Sequence, residues 1–136
     1  MADIEYNFGK NAGKVWNTLE QNGSLTPNKI MKTTKLTEYD FYAAVGWLAK
    51  ENKICKAGTK YTIGTCNFEP KIGKNAGKVW KTLKEIGYVD ENYLPKLAGC
   101  TTSETYSALG WLAREGKISF KRVKPKKPQT RYGLKH

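Results

Sequence analysis

Apolar residues recur at helical spacing in two stretches of the chain that lie 64 positions apart. Within each stretch the apolar positions are separated by three or four residues, which places them on one side of a helix. They are Ala12, Val15, Trp16 and Leu19 in the first stretch and Ala76, Val79, Trp80 and Leu83 in the second. Gly23 and Gly87 follow at the positions where a glycine commonly ends a helix. The pattern predicts the same amphipathic first helix twice.

The residues on either side of this helix predict two further elements. Ile4, Tyr6 and Phe8 alternate with polar residues, as does the shorter segment 68–72, and alternation is typical of a strand. We therefore expect a short strand to open each stretch. Thr26 and Pro27 predict the start of a second helix, with a hydroxyl cap and a proline in the first turn. Acidic residues 90–91 predict the same start in the second stretch.

A third helix and a β-hairpin complete each stretch. Thr37 and Thr101 predict the caps of the third helix, which should end near Asn52 or Gly116. Ile54 and the segment 61–63 then predict a hairpin around a glycine turn, and residues 118–120 and 132–134 predict the second hairpin. A strand, three helices and a hairpin are, by analogy with known folds, the order of a winged helix-turn-helix.

The two stretches are copies of one module. Residues 9–16 and 73–80 are identical, and 23 of the 46 positions from 9 to 54 match those from 73 to 118 without a gap. Identity at half of the positions, at one fixed offset, indicates that the module was duplicated. The sequence therefore predicts an α+β protein of two tandem winged helix-turn-helix domains, residues 1–64 and 65–136.

Two motifs resemble those of a known protein family. Residues 72–80 read I-G-K-N-A-G-K-V-W, and residues 108–118 read A-L-G-W-L-A-R-E-G-K-I. Both resemble a small prokaryotic winged helix-turn-helix family of unknown function, with A-G-x-x-W on helix one and A-x-G-W-L-A-x-E-x-K-I at the end of helix three. Asn52 departs from the Gly or Asp that many members carry. The resemblance implies the fold and a DNA-binding role inferred from it, without assigning a role to any residue.

The charge of the chain lies mainly at one end. Lys and Arg number 24 against 12 Asp and Glu, which gives a net charge of +12. Eight of the basic residues and no acidic residue lie within residues 117–136. The spacing between the paired hairpin residues grows from seven (Ile54 to Tyr61) to fourteen (Ile118 to Tyr132). The sequence therefore predicts an enlarged, basic second wing.

A basic wing favours contact with nucleic-acid phosphates, because cations there release counterions. The predicted wing contacts are Lys121, Arg122, Lys124, Lys126, Lys127 and Arg131. Lys74, Lys78 and Lys81 share a face of the second copy's first helix and would extend this surface. Duplex DNA is the favoured partner, although RNA fits the same charge pattern.

Helix three, which reads bases in DNA-binding members of the fold, is a weaker candidate. Its outward positions are predicted to include Ala43 and, in the second copy, the candidate contacts Ser103, Ser107 and Arg114. Segments 37–52 and 101–116 carry net charges of −2 and −1, which oppose a phosphate backbone. The alternative function is therefore a protein-interaction adaptor that uses helix three, or aromatic residues such as Tyr39 and Phe41, as its interface.

Other chemistry has little support in the sequence. Four tryptophans, at positions 16, 47, 80 and 111, are interpreted as core or interface residues rather than base-stacking platforms. The three cysteines are widely spaced and the one histidine is His136, so we expect reduced thiols, no metal site, no cofactor and no enzyme activity. No apolar run approaches the roughly 20 residues of a membrane span. We expect a cytoplasmic protein, either a monomeric pseudo-dimer or a homodimer.

Overall fold

The computed structural model describes residues 4–64, 69–123 and 129–134. Each copy contains three helices followed by an antiparallel hairpin. The first copy consists of α1 (Ile4–Asn22), α2 (Pro27–Thr34), α3 (Glu38–Lys50), β1 (Ile54–Ala57) and β2 (Lys60–Ile63). The second consists of α4 (Glu69–Ile86), β3 (Val89–Asp90), α5 (Leu94–Ala98), α6 (Thr102–Arg114), β4 (Ile118–Val123) and β5 (Gln129–Leu134). The α+β fold and the tandem winged-helix arrangement are confirmed.

The predicted opening strand is wrong in both copies. Residues from Ile4 and from Glu69 onward belong to the first helices. Phe8 lies four positions before Ala12, so it extends the helical stripe of buried residues, and three alternating residues were too short a pattern to outweigh it. Both first helices are therefore longer than the sequence predicted.

A residue after helix one pairs with the wing in each copy instead, as a full strand in the second copy only. Leu25 forms an isolated antiparallel bridge with Tyr61, and Val89 pairs with Tyr132 in the three-stranded sheet β3-β5-β4. Asp90 belongs to β3, so the prediction that residues 90–91 begin a helix is wrong. The second helix of this copy, α5, begins only at Leu94.

The predicted caps are confirmed. The side chains of Thr26, Thr37 and Thr101 each accept a hydrogen bond from a backbone N–H three residues later, which satisfies an N–H group left free at a helix start. The third helices end at Lys50 and Arg114 with Glu51 and Glu115 as C-caps, and Asn52 and Gly116 follow with positive φ. Local chemistry thus sets the bounds of helix three.

The structure has two hydrophobic cores, one formed mainly by each copy, and each core includes a residue from the other copy. Phe8 of the first copy is buried in the core formed mainly by the second, and Ile72 of the second copy is buried in the core of the first. These residues are 64 positions apart, so the exchange is pseudo-symmetric. Trp47 and Trp111 contact both cores. The two copies therefore fold against one another.

The third helices α3 and α6 make backbone contact where they cross. A methyl group at Gly46 would lie 1.8 Å from the carbonyl oxygen of Ser107, and one at Gly110 would lie 1.8 Å from that of Ala43. The two contacts are equivalent, because Gly110 lies 64 positions after Gly46 and Ser107 lies 64 positions after Ala43. Only glycine allows the two helices to approach this closely.

Each third helix also presents a tryptophan to the first helix of its own copy. A methyl group at Gly9 would lie 3.0 Å from the ring of Trp47, and one at Gly73 would lie 3.3 Å from that of Trp111. Gly13 has no such neighbour within 4 Å. The tryptophans are half-buried packing residues, which confirms the core or interface interpretation for this pair.

The prediction that the cysteines are all reduced thiols is wrong for Cys55, which is disulfide-bonded. Cys100 is the free cysteine among the residues that the structure describes. The spacing rules applied to the sequence detect zinc sites and multi-bridge frameworks, and they do not detect a single bridge beside a hairpin.

The glycine contacts predict a strong effect of one added methyl group. Gly46→Ala or Gly110→Ala should destabilise the fold by about 3 kcal/mol or more, because the clash is with backbone and no side-chain rotation relieves it. Urea denaturation followed by far-UV circular dichroism measures the change.

Gly13→Ala and Gly77→Ala are the matched controls, since both glycines lie in helices with open space beside them. These substitutions should stabilise the protein by about 0.5–1 kcal/mol through lower chain entropy. Equal denaturation midpoints for the two pairs would contradict backbone contact between α3 and α6.

Candidate nucleic-acid interface

The helices that would read bases are packed against each other. Ala43 and Ala44 of α3 are fully buried, as are Ala108 and Leu109 of α6. An outward position for Ala43 was therefore predicted wrongly, because the pseudo-symmetric crossing covers the face that a DNA major groove would receive. Neither third helix presents this face to a partner.

The three α6 candidates occupy different environments. Ser107 is only 7% exposed and lies at the helix crossing, so the prediction that it points outward is wrong. Ser103 is half-buried beside a cleft between the copies. Arg114 is exposed, but its Nε donates to Oε2 of Glu51 at 3.1 Å. The structure does not bring these three together on one free surface.

Arg114 takes part in a pseudo-symmetric set of contacts between the copies. Its guanidinium lies 5.5 Å from the centroid of the Trp47 ring in the first copy. Lys50 occupies the equivalent position, 5.0 Å from the ring of Trp111, and pairs with Glu115 at 3.7 Å. Each cation thus lies over the tryptophan ring of the other copy and forms an ion pair with a glutamate of that copy. We interpret Arg114 primarily as an inter-copy contact.

The second wing is longer than the first, as predicted. Strands β4 and β5 pair over six residues each, from Ile118 opposite Leu134 to Val123 opposite Gln129, whereas β1 and β2 pair over four. The strands contain Lys121, Arg122 and Arg131. The remaining wing candidates, Lys124, Lys126 and Lys127, lie outside the described residues.

The strand register concentrates charge at one point of this wing. Lys121 is the Cα partner of Arg131, and Arg131 is also the partner of Asp90 on β3. Two cationic residues therefore occupy paired positions, with one acidic residue in the same row.

The outer face of α4 carries four exposed lysines. Lys74, Lys78 and Lys81 are exposed as predicted, and Lys71 joins them. At about 100° per residue the four span about 80° of the helix circumference. Sequence reasoning missed Lys71 because residues 68–72 were assigned to a strand, although its spacing of three from Lys74 was the available signal.

A carboxylate lies close to this lysine face. The backbone N–H of Thr101 donates to Oε1 of Glu104 at 2.9 Å, and this bond is the main cause of a lowered pKa for the Glu104 carboxyl. Lys71 and Lys78 lower the same pKa through their charges, by less. Glu104 therefore remains ionised and engaged in its capping box at neutral pH.

Large hydrophobic side chains are exposed only on the second copy among the residues whose burial is described. Ile86, Tyr88, Tyr93 and Leu97 are between 42% and 65% exposed. Their counterparts at the offset of 64 are polar: Asn22, Ser24, Lys29 and Thr33. By contrast, Phe41 is fully buried and Tyr39 is half-buried against residues of the second copy. The prediction that Phe41 forms an exposed surface of helix three is therefore wrong.

Within the described ranges, no cluster of three or more metal-ligating side chains occurs. The helices described also include none that is long and apolar enough to span a membrane.

Comparison with known proteins agrees with this architecture. The family described as "Winged helix-turn-helix domain (DUF2582)" matches the chain twice, over residues 1–64 and 68–127. No curated protein matches the chain. Domains of this fold typically bind nucleic acid or protein and are not typically enzymes. Since the two matches cover most of the sequence, the chain belongs to this winged helix-turn-helix family of unknown function, as two tandem copies.

Proposed function

We propose that the protein binds nucleic acid, with duplex DNA as its target, through phosphate contacts from the second wing and the lysine face of α4. The observation that carries this proposal is the packing of α3 against α6, which removes both third helices from base reading. The unbalanced positive charge lies on the other two surfaces. Contacts to phosphate bind without reading sequence, so specificity is weak.

The proposed role is architectural or regulatory and not catalytic, and the proposed location is the cytoplasm. The disulfide at Cys55 is the observation against that location, because disulfides are rare in reducing compartments.

A second candidate function, protein interaction, is favoured by the apolar residues exposed only on the second copy. Large exposed aromatic and aliphatic side chains are typical of protein contacts. The exposed residues are Ile86, Tyr88, Tyr93 and Leu97, and they replace the helix-three interface that the sequence predicted for an adaptor.

Shortening the second wing tests the main proposal. Replacing residues 121–130 by a short Gly-Ser turn removes five cations, so the slope of log affinity against log salt should become shallower by up to about 4. Salt titrations with duplex DNA, single-stranded DNA and RNA measure this slope.

A second variant keeps the full-length wing and replaces the same five cations by serine. It distinguishes the effect of wing charge from that of wing length. It should bind as weakly as the shortened protein. Unchanged slopes in both variants would overturn the wing contact, and absence of binding to any of the three nucleic acids at low salt would favour the protein-interaction function.

The lysine face of α4 has an internal control in the first copy. Lys74→Ser with Lys78→Ser should reduce the salt slope by about 2, at ~0.9 per lost phosphate contact. Lys10 and Lys14 are exposed at the equivalent positions of α1, and their substitution by serine should leave the slope unchanged. If the two pairs of substitutions reduced the salt slope equally, binding would depend on the total charge and not on the position of the lysines.

The protein-interaction function is tested on self-association. If the exposed apolar residues form a contact between two chains, sedimentation velocity should show a concentration-dependent dimer, and Tyr93→Lys with Leu97→Thr should abolish it. These substitutions introduce the residues of the first copy. A monomer at every concentration, or a dimer indifferent to both substitutions, would contradict this contact.

A further inference from the structure

A cleft lies between the two copies. It has a volume of about 390 Å³, within the range of about 300–1,000 Å³ typical of small-molecule sites. Its walls come from the first wing around Gly58, from α4 around Ile72 and from the start of α6 around Ser103. Both copies are therefore needed to form it.

At this cleft the pseudo-symmetry fails, and the largest difference in side-chain size between equivalent residues is Ser103 in place of Tyr39. At the equivalent place on the opposite side, Tyr39 of the first copy packs edge-on against Phe8 at 5.7 Å and Tyr106 at 4.7 Å between ring centroids. Its hydroxyl also contacts that of Tyr132. The residue 64 positions after Tyr39 is Ser103, whose small side chain leaves the corresponding space open.

The neighbours of the cleft are otherwise the counterparts of those that surround Tyr39. Ile72 corresponds to Phe8, Tyr42 to Tyr106, and Tyr61 of the first wing to Tyr132 of the second. The rings of Tyr42 and Tyr61 remain as aromatic walls. One side of the molecule thus holds a packed tyrosine, and the other holds a vacant place of similar shape.

The residues that line the cleft include buried polar side chains and exposed lysines. Asn75 and Ser107 line the cleft and are only 8% and 7% exposed. Lys56 and Lys71 line it as exposed residues. Glu104 is the one carboxylate among the lining residues, and its Oε1 already accepts the Thr101 N–H. The cleft therefore has two lysines and one carboxylate that is already hydrogen-bonded, and this charge balance favours an anionic ligand.

We propose that this cleft binds a small phosphate monoester of a hydroxylated ring, no larger than a mononucleotide. Lys56 and Lys71 hold the phosphate, the hydroxyl of Ser103 and the amide of Asn75 hydrogen-bond to the ring hydroxyls, and the Tyr42 ring packs against its apolar face. The helix α6 N-terminus is not the phosphate site, because its capping box already uses the Thr101 and Glu104 N–H groups. The proposal does not rest on DNA binding, although Lys71 belongs both to the cleft and to the lysine face of α4.

Isothermal titration calorimetry of the full chain with AMP, ribose 5-phosphate, adenosine and inorganic phosphate tests the ligand class. We expect saturable one-to-one binding of AMP, of ribose 5-phosphate or of both, tighter than that of adenosine or inorganic phosphate alone. If neither ester binds at millimolar concentration, or if inorganic phosphate binds as tightly as both, the proposed class is wrong.

Ser103→Tyr tests the place, because it introduces the residue that fills the equivalent space on the other side. It should weaken ester binding at least about tenfold, which corresponds to ~1.4 kcal/mol. Thr102→Tyr is the matched control, since Thr102 is the exposed neighbour and does not line the cleft. Equal affinities of the two variants would overturn the assignment.

A second pair of variants keeps the test decisive if Ser103→Tyr fails to fold. Lys56→Ala should weaken ester binding about two- to fivefold, as for a solvent-exposed ion pair. Lys60→Ala, on the same wing but outside the cleft, should leave binding unchanged. Equal affinities of the two lysine variants would remove the cleft as the phosphate site.

Discussion

The close crossing of α3 and α6 at Gly46 and Gly110 is the constraint on which the rest of the structure depends. Because the two helices meet at backbone distance, the residues around the crossing are buried between the copies. Trp47 and Trp111 then reach both cores from this crossing, and each is capped by a cation of the other copy. The tandem winged helices consequently form one pseudo-symmetric body whose third helices are internal.

Residues that are the same in both copies build this body, whereas several residues of the candidate sites differ between the copies. Gly46, Trp47 and Glu51 have identical counterparts at the offset of 64, and all three take part in inter-copy packing. By contrast, Lys71 and Ser103 have Asn7 and Tyr39 as counterparts. The duplication thus gave one scaffold whose two copies differ at the surface, and the proposed ligand site combines residues of both copies.

Local chemistry explains which elements were predictable. Helix caps such as Thr37 and Thr101 depend on contacts within a few residues, so the sequence predicted them correctly. Phe8 was assigned to a strand because it alternates with Ile4 and Tyr6, whereas its burial in the core of the second copy depends on packing that the sequence does not show. The same limit applies to the candidate site: the exposed lysines of α4 were largely predicted, whereas the burial of Ser107 and the ion pair of Arg114 arise only from packing between the copies.

The internal position of helix three also limits how the protein could recognise DNA. Separating α3 from α6 would expose the faces of two helices whose residues are buried in both cores and would break the pairs Arg114–Glu51 and Lys50–Glu115. Exposed ion pairs contribute little, but buried apolar surface contributes about 25 cal/mol per Å², so opening is opposed mainly by the apolar contacts. In the proposed function, a duplex bound to the closed body is contacted through its phosphates, and phosphate contacts carry no sequence information.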